Sequence, residues 1–255
     1  MPNLRDKLYV STVAEDARET ATRYGLGIEV AEFCTAMNMD PDGFPAWDAH
    51  TRANIDGIAR KTFHAPFNEL CPAAIEPRVV TVTRERYRQA AALAQSYGIR
   101  RMIVHSGYVP LVYFKSYFIE RSIAFWRALL AELPPDFHIL LENVMEDEPA
   151  LTRDIARAVD DPRFRLCLDV GHANTIVSDV PLAAWIDETA PYLAHVHLHN
   201  NHRKWDDHNP LGDGLIDMNA ALERILRLAP DATLTLESIQ SAPSAQWLAD
   251  HGYLA

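Results

Sequence analysis

The stretch 164–172, FRLCLDVGH, ends an apolar run in an acid and follows it with a histidine. Asp169 and His172 are costly to bury without partners. The arrangement recurs along the chain. Other apolar runs end in His64, His105, Glu142, His197 and Glu237, and the segment WDDHNPLGDG adds Asp206 and His208. Imidazoles and carboxylates converging from separate segments are what a divalent metal site requires. Without a cation, so many carboxylates in one place would repel and shift one another's pKa values. Each residue alone has a plainer reading. His64 or His105 would serve as a hydrogen-bonded loop residue, Glu142 or Glu237 as half of an ion pair, and Asp169 as a helix N-cap. Those readings must hold independently at six run ends, so a metal site is the expectation. His195, His197 and His199 alternate and can share one face, with His195 deepest and His199 nearest the rim. Asp206 and Asp207 both precede His208, and their position does not separate them.

These groups need a scaffold that brings run ends together. Apolar strand patterns fall at 8–10, 26–33, 61–67, 101–105, 138–142, 164–169, 193–199 and 232–237. Helical spacing follows each at 14–24, 49–60, 83–97, 117–133, 149–159, 181–189, 218–228 and 244–251. Helix stops such as Gly25 and Gly98, and the Pro134-Pro135 pair, separate them. Strands alternating with helices predict parallel βαβ units. Eight such pairs in 255 residues predict an α/β protein of one domain, 1–255, closed as a (β/α)8 barrel. Active sites of that architecture lie at the C-terminal ends of the strands, where these acids and histidines stand. No G-x-G-x-x-G follows the first strand, so a dinucleotide site has no support.

Bulk properties narrow the partners. The chain is 48% hydrophobic and 23% charged, ordinary for a globular domain. Its net charge is −11, with four lysines against twenty arginines, which argues against nucleic acid or an anionic membrane as partner. Cys34, Cys71 and Cys167 are odd in number and lack C-x-x-C spacing, so free thiols and a cytoplasmic location are expected. The N-terminus lacks a cationic start followed by an apolar stretch, and no run nears ~18 apolar residues.

With these residues assembled, the chain resembles the xylose isomerase-like barrel superfamily. The pieces that carry the resemblance are LLEN at 140–143, CLDVGHAN at 167–174, HVHLHNN at 195–201, DDHNPLGDG at 206–214 and TLES at 235–238. That group holds sugar and sugar-phosphate isomerases and epimerases, and the endonuclease IV type of abasic-site nuclease. The resemblance to the epimerases implies one divalent metal (zinc, manganese, magnesium or cobalt) on Glu142, Asp169, His197 and Glu237, with the two glutamates also moving the proton. The resemblance to the nuclease branch implies up to three ions on His64, His105, Glu142, Asp169, His172, His197, Asp206, His208 and Glu237. Asn200 stands where that branch usually has Asp, and DVGH where it has DxCH-like wording.

The expected function is a divalent-metal isomerase or 3-epimerase of a small sugar, sugar phosphate or related hydroxy-carbonyl compound. Asn143, His172, His199, Arg203 and Lys204 are the expected substrate contacts, and Phe67, Tyr108 and Tyr113 the expected pocket walls. The alternatives are a multinuclear zinc phosphoesterase cutting abasic sites, and a metal-binding barrel without catalysis. A homo-oligomer is compatible with each.

Overall fold

The computed structural model describes residues 3–254. Its eight strands are β1 Leu8–Ser11, β2 Gly27–Val30, β3 Lys61–His64, β4 Arg101–His105, β5 His138–Glu142, β6 Phe164–Asp169, β7 Leu193–Leu198 and β8 Thr233–Leu236. All pair in parallel, in chain order, and β1 pairs with β8 to close the barrel. The helices are α1 Ala17–Tyr24, α2 Phe44–Ile55, α3 Pro77–Ser96, α4 Lys115–Glu132, α5 Ala150–Val159, α6 Val170–Ala173, α7 Leu182–Thr189, α8 Met218–Leu228 and α9 Ser241–Asp250. None of them is long and apolar enough to cross a membrane.

Strand alternation sorts the side chains into two cores. Leu8, Val10, Ile28, Val30, Phe63, Val104, Leu141, Leu168, Val196 and Leu236 join the helices in one large cluster. Ile103, Leu140 and Cys167 form a small separate cluster that plugs the barrel interior. Above that plug the inward positions carry the polar groups: Glu29, His64, His105, Glu142, Asp169, His195, His197 and Thr235. Arg101 closes the opposite end, donating to the Ala194 carbonyl at 2.9 Å and to Thr233 Oγ1 at 3.1 Å.

Several element ends differ from the sequence pattern. β3 stops at His64, because Pro66 has no N–H to continue the ladder. α3 starts six residues early, at Pro77. Its β-branched run Val79–Thr83 reads poorly as helix, but Pro at the first helical position is already shaped for it. Glu76 also caps it, accepting from the Arg78 N–H at 3.0 Å. α6, a single turn after β6, has no counterpart in the sequence pattern. α9 begins at Ser241 because Asp16 Oδ1 and Oδ2 accept from the Ser241 and Ala242 N–H groups, both at 2.9 Å. That contact joins the first βα unit to the last.

Candidate metal centre

Four neighbouring strands deliver the inner set. Glu142 ends β5, Asp169 ends β6, His197 lies near the end of β7, and Glu237 follows β8. Around His197 Nδ1 stand Glu237 Oε2 at 3.0 Å, Glu142 Oε1 at 3.4 Å and Asp169 Oδ2 at 3.8 Å. Glu142, Asp169 and His197 are 0% exposed and Glu237 is 7%. Among the described residues the three carboxylates have ion-pair contacts with histidines only. Glu142 Oε1 and His197 Nδ1 are buried without an aligned hydrogen bond. Three carboxylates and a ring nitrogen crowded into so small a space, two of their atoms without a partner, fit a divalent ion of borderline or hard character.

Electrostatics agree with that fit. Burial pushes the Glu142 carboxyl up, but the charges of His197 and His105 outweigh it and hold the group well below its usual range. Burial likewise opposes Asp169, and His172 and His199 bring it to about 2. Glu142 and Asp169 are therefore ionised, and in the absence of a metal their charge is balanced by protonated imidazoles such as His172.

Further histidines flank both sides of this set. Glu142 Oε2 faces His64 Nε2 at 3.2 Å and His105 Nε2 at 3.5 Å. On the other side Asp206 Oδ2 lies 3.1 Å from His172 Nε2 and 3.0 Å from His208 Nε2. The opposite nitrogens settle the tautomers. Nδ1 of His64, His172 and His208 lies 2.8–2.9 Å from the carbonyl of Ala65, Asn143 and Glu237 respectively. A carbonyl only accepts, so each Nδ1 carries the hydrogen. In a neutral ring Nε2 then aims a lone pair at a carboxylate. That is stable only with a second proton or a cation between them. His64, His105 and Glu142 form one group of metal-ligand spacing, and His172, His199, Asp206 and His208 form another.

The structure thus brings together all nine residues of the nuclease-like pattern. It also separates the alternatives by position. His197 is the histidine of β7 in the inner set. His195 lies beneath, on Glu29 and Thr235. His199 reaches across, with Nε2 at 3.0 Å from Asp169 Oδ1 and 3.7 Å from Asp206 Oδ1. Asp206 belongs to the cluster, while Asp207 accepts from the His202 N–H at 3.1 Å. Asp169 is an N-cap as well, accepting from the His172 N–H at 2.7 Å. Gly171 permits this crowding, because a Cβ there would stand 1.9 Å from His199 Cε1.

Other expected substrate contacts sit elsewhere. Asn143 is turned onto the Asp169 backbone, accepting from its N–H at 2.9 Å and donating to its carbonyl at 3.1 Å, and so sets the end of β6. The Arg203 guanidinium donates to Asp179 Oδ1 at 3.0 Å and to the Ser178 carbonyl at 3.2 Å. Lys204 Nζ stands 5.6 Å over the Trp205 ring. Neither cation reaches the nine. Phe67 does wall the centre, stacked on His105 with ring centroids 4.1 Å apart. Tyr108 and Tyr113 line the adjoining cavity, where the Tyr113 hydroxyl lies 3.5 Å from Cys71 Sγ.

One residue of the site escaped the sequence reading. Glu29, in the middle of β2, is fully buried with Oε1 3.0 Å from His197 Nε2. Both atoms are buried without an aligned hydrogen bond. Glu29 Oε2 accepts from Thr235 at 2.9 Å and lies 3.2 Å from His195 Nε2. A carboxylate behind a ligand-type histidine keeps the hydrogen on the far nitrogen and the lone pair toward the centre. The lone acid in the apolar run GIEV was the available signal.

Comparison with known proteins places this geometry. The sequence profile of the xylose isomerase-like TIM barrel family matches residues 16–254. The solved structure of a D-tagatose 3-epimerase-like protein superposes with a TM-score of 0.77 at 21% identity, covering 97% of each chain. A Thermus thermophilus protein, solved after soaking with zinc chloride, superposes with a TM-score of 0.73 at 24% identity, covering 96% of this chain and 99% of that one. An uncharacterized protein of Methanocaldococcus jannaschii is 27% identical over 185 residues, which is 69% of this chain and 63% of the relative's length. The match over nearly the whole barrel, with the acids and histidines gathered at its C-terminal mouth, makes this chain a member of the xylose isomerase-like TIM barrel family.

Proposed function

We propose that the protein is a divalent-metal-dependent isomerase or 3-epimerase of a small sugar or related hydroxy-carbonyl compound. One observation carries the reading: Glu142 and Glu237 approach His197 Nδ1 from two different strands, as close as 3.4 and 3.0 Å. The name of the D-tagatose 3-epimerase-like structure supports the same class. Glu142, Asp169, His197 and Glu237 would hold the ion. Its chemistry there is Lewis acidity, which polarises a carbonyl and an adjoining hydroxyl and so acidifies the C–H between them.

The chain's own groups then do the proton work. One glutamate takes the proton from that carbon, and the other returns it to the opposite face. A positioned base contributes ~10²–10⁴-fold. Burial of the inner set keeps bulk water from competing for the proton. Glu29 and Asn143 position His197 and Asp169, so the donor atoms are aimed before substrate arrives.

The second reading is a multinuclear phosphoesterase. It is favoured by the paired histidines on Glu142 Oε2 and by the Asp206 group, which an epimerase does not need. The net charge of −11 counts against a DNA substrate. Nuclear magnetic resonance in deuterated water separates the two. Metal-loaded protein given a panel of ketoses and ketose phosphates should wash deuterium into the carbon beside the carbonyl. No exchange with any sugar, together with cleavage of an abasic-site oligonucleotide, would overturn the first reading in favour of the second.

A further inference from the structure

Beside the metal-type residues, the C-terminal face holds a groove of about 420 Å³ between the loops after β3, β4 and β5. Phe67, Leu70, Ile75, Val109, Tyr113 and Met145 wall it. His105 also lines it, and His105 Nε2 lies 3.5 Å from Glu142 Oε2. A molecule lying in the groove therefore touches His105, the neighbour of Glu142. The volume is in the range of small-ligand sites, ~300–1,000 Å³.

The charge of the lining is informative. It contains no lysine or arginine, and its acids are Glu69 and Glu76. Two cations outside the lining are engaged. Lys115 is held between Asp147 at 2.8 Å and Glu148 at 2.5 Å, and Arg203 by Asp179. A phosphate in this groove would meet two carboxylates and no cationic partner.

The apolar surface there is grouped rather than scattered. Ile75, Val109 and Met145 are 69%, 42% and 45% exposed. At the edge, Leu111 stands fully in solvent on a left-handed backbone with φ 66°, which a leucine rarely adopts. Apolar side chains gathered round one opening mark a binding surface.

We propose that this groove seats the non-reacting end of the substrate, and that this end is an uncharged alkyl or aryl group rather than a phosphate. The proposal rests on the metal-site reading given above. Each methylene laid on the groove is worth about fourfold in affinity.

Hydroxamates test it, because their carbonyl and hydroxyl oxygens present to a metal the same pair of atoms as a hydroxy-carbonyl compound. Calorimetry on the zinc-loaded full chain would compare acetohydroxamate, hexanohydroxamate and phosphonoacetohydroxamate. Hexanohydroxamate should bind at least about tenfold more tightly than acetohydroxamate, and the phosphonate no more tightly. The double variant Ile75→Ser, Val109→Ser should lose most of that gain while keeping the acetohydroxamate affinity. Equal affinities for the two alkyl probes, a gain retained in the variant, or tightest binding by the phosphonate would overturn the groove proposal alone. A protein that takes up no zinc would overturn the metal reading and this proposal with it.

Discussion

The inner and outer halves of the polar mouth are built from the same residue types but are held by different means. Glu142, Asp169 and His197 sit on strands whose backbones are fixed by the parallel ladder, and all are sealed from solvent. Asp206 and His208 sit on a loop, with side chains 37% and 24% exposed, and His208 takes a left-handed φ of 48°. The inner set is not fully satisfied by protons alone, since buried atoms of Glu142 and His197 still lack aligned partners. In the outer set Asp206 is paired by a protonated His208 at 3.0 Å, and His199 Nδ1 is left buried without a partner. The ladder thus seals its donors from solvent and fixes them in place, while the loop leaves Asp206 and His208 partly open to water.

The largest expected effect breaks the inner half. Glu142→Gln removes the carboxylate that faces both sides, and activity should fall by at least ~10²–10⁴-fold. Full activity in that variant, measured by isotope exchange, would remove Glu142 from the site. Next, Glu29→Gln should weaken the affinity of the inner site for zinc by ~10–100-fold, read by competition with a chelator, and Glu29→Asp should recover part of it. Unchanged affinity in both would reduce Glu29 to a packing role.

The outer half gives smaller effects. His208→Ala should lower total metal content and leave sugar exchange within about threefold, because the residue is outside the inner ligand set. If exchange instead collapses as in Glu142→Gln, the two halves work as one cluster and the phosphoesterase reading gains. The smallest effect is the pH dependence of the metal-free protein. Burial lowers the His208 pKa, but the hydrogen bond to Asp206 and the charges of Glu237 and Asp206 raise it to about 9, above an unfolded value near ~6.5. The stability it contributes is complete below about 6.5 and is lost as pH rises through about 9. The thermal midpoint should therefore fall over that window, and the fall should be smaller in His208→Ala. Zinc requires the neutral ring, so affinity at the outer site should rise over the same window.

Much of this was legible in the sequence. The strand-end acids and histidines stood out because an apolar run that stops at Glu142 or Asp169 carries a carboxylate to the edge of a core, where only a cation or strong donors offset its burial. The eightfold alternation pointed to the barrel. Glu29 stayed hidden because the run 26–33 reads as one unbroken strand, and only the barrel's curvature shows that its middle faces the base of His197. The engagement of Arg203 was hidden for the opposite reason: its partner Asp179 comes from a different loop, and no local pattern reports that contact. The early start of α3 was masked by its β-branched residues, whose low propensity is offset by Pro77 at the first helical position and by the Glu76 cap.

The central claim is that the inner four residues alone support proton transfer. Protein stripped by a chelator and then titrated with zinc or manganese, with deuterium exchange followed at each step, tests it most directly. Exchange should be absent without metal and should reach its full rate after one equivalent per chain, with later equivalents binding without further gain. Exchange that appears only after two or three equivalents, or that persists in stripped protein, would contradict the account.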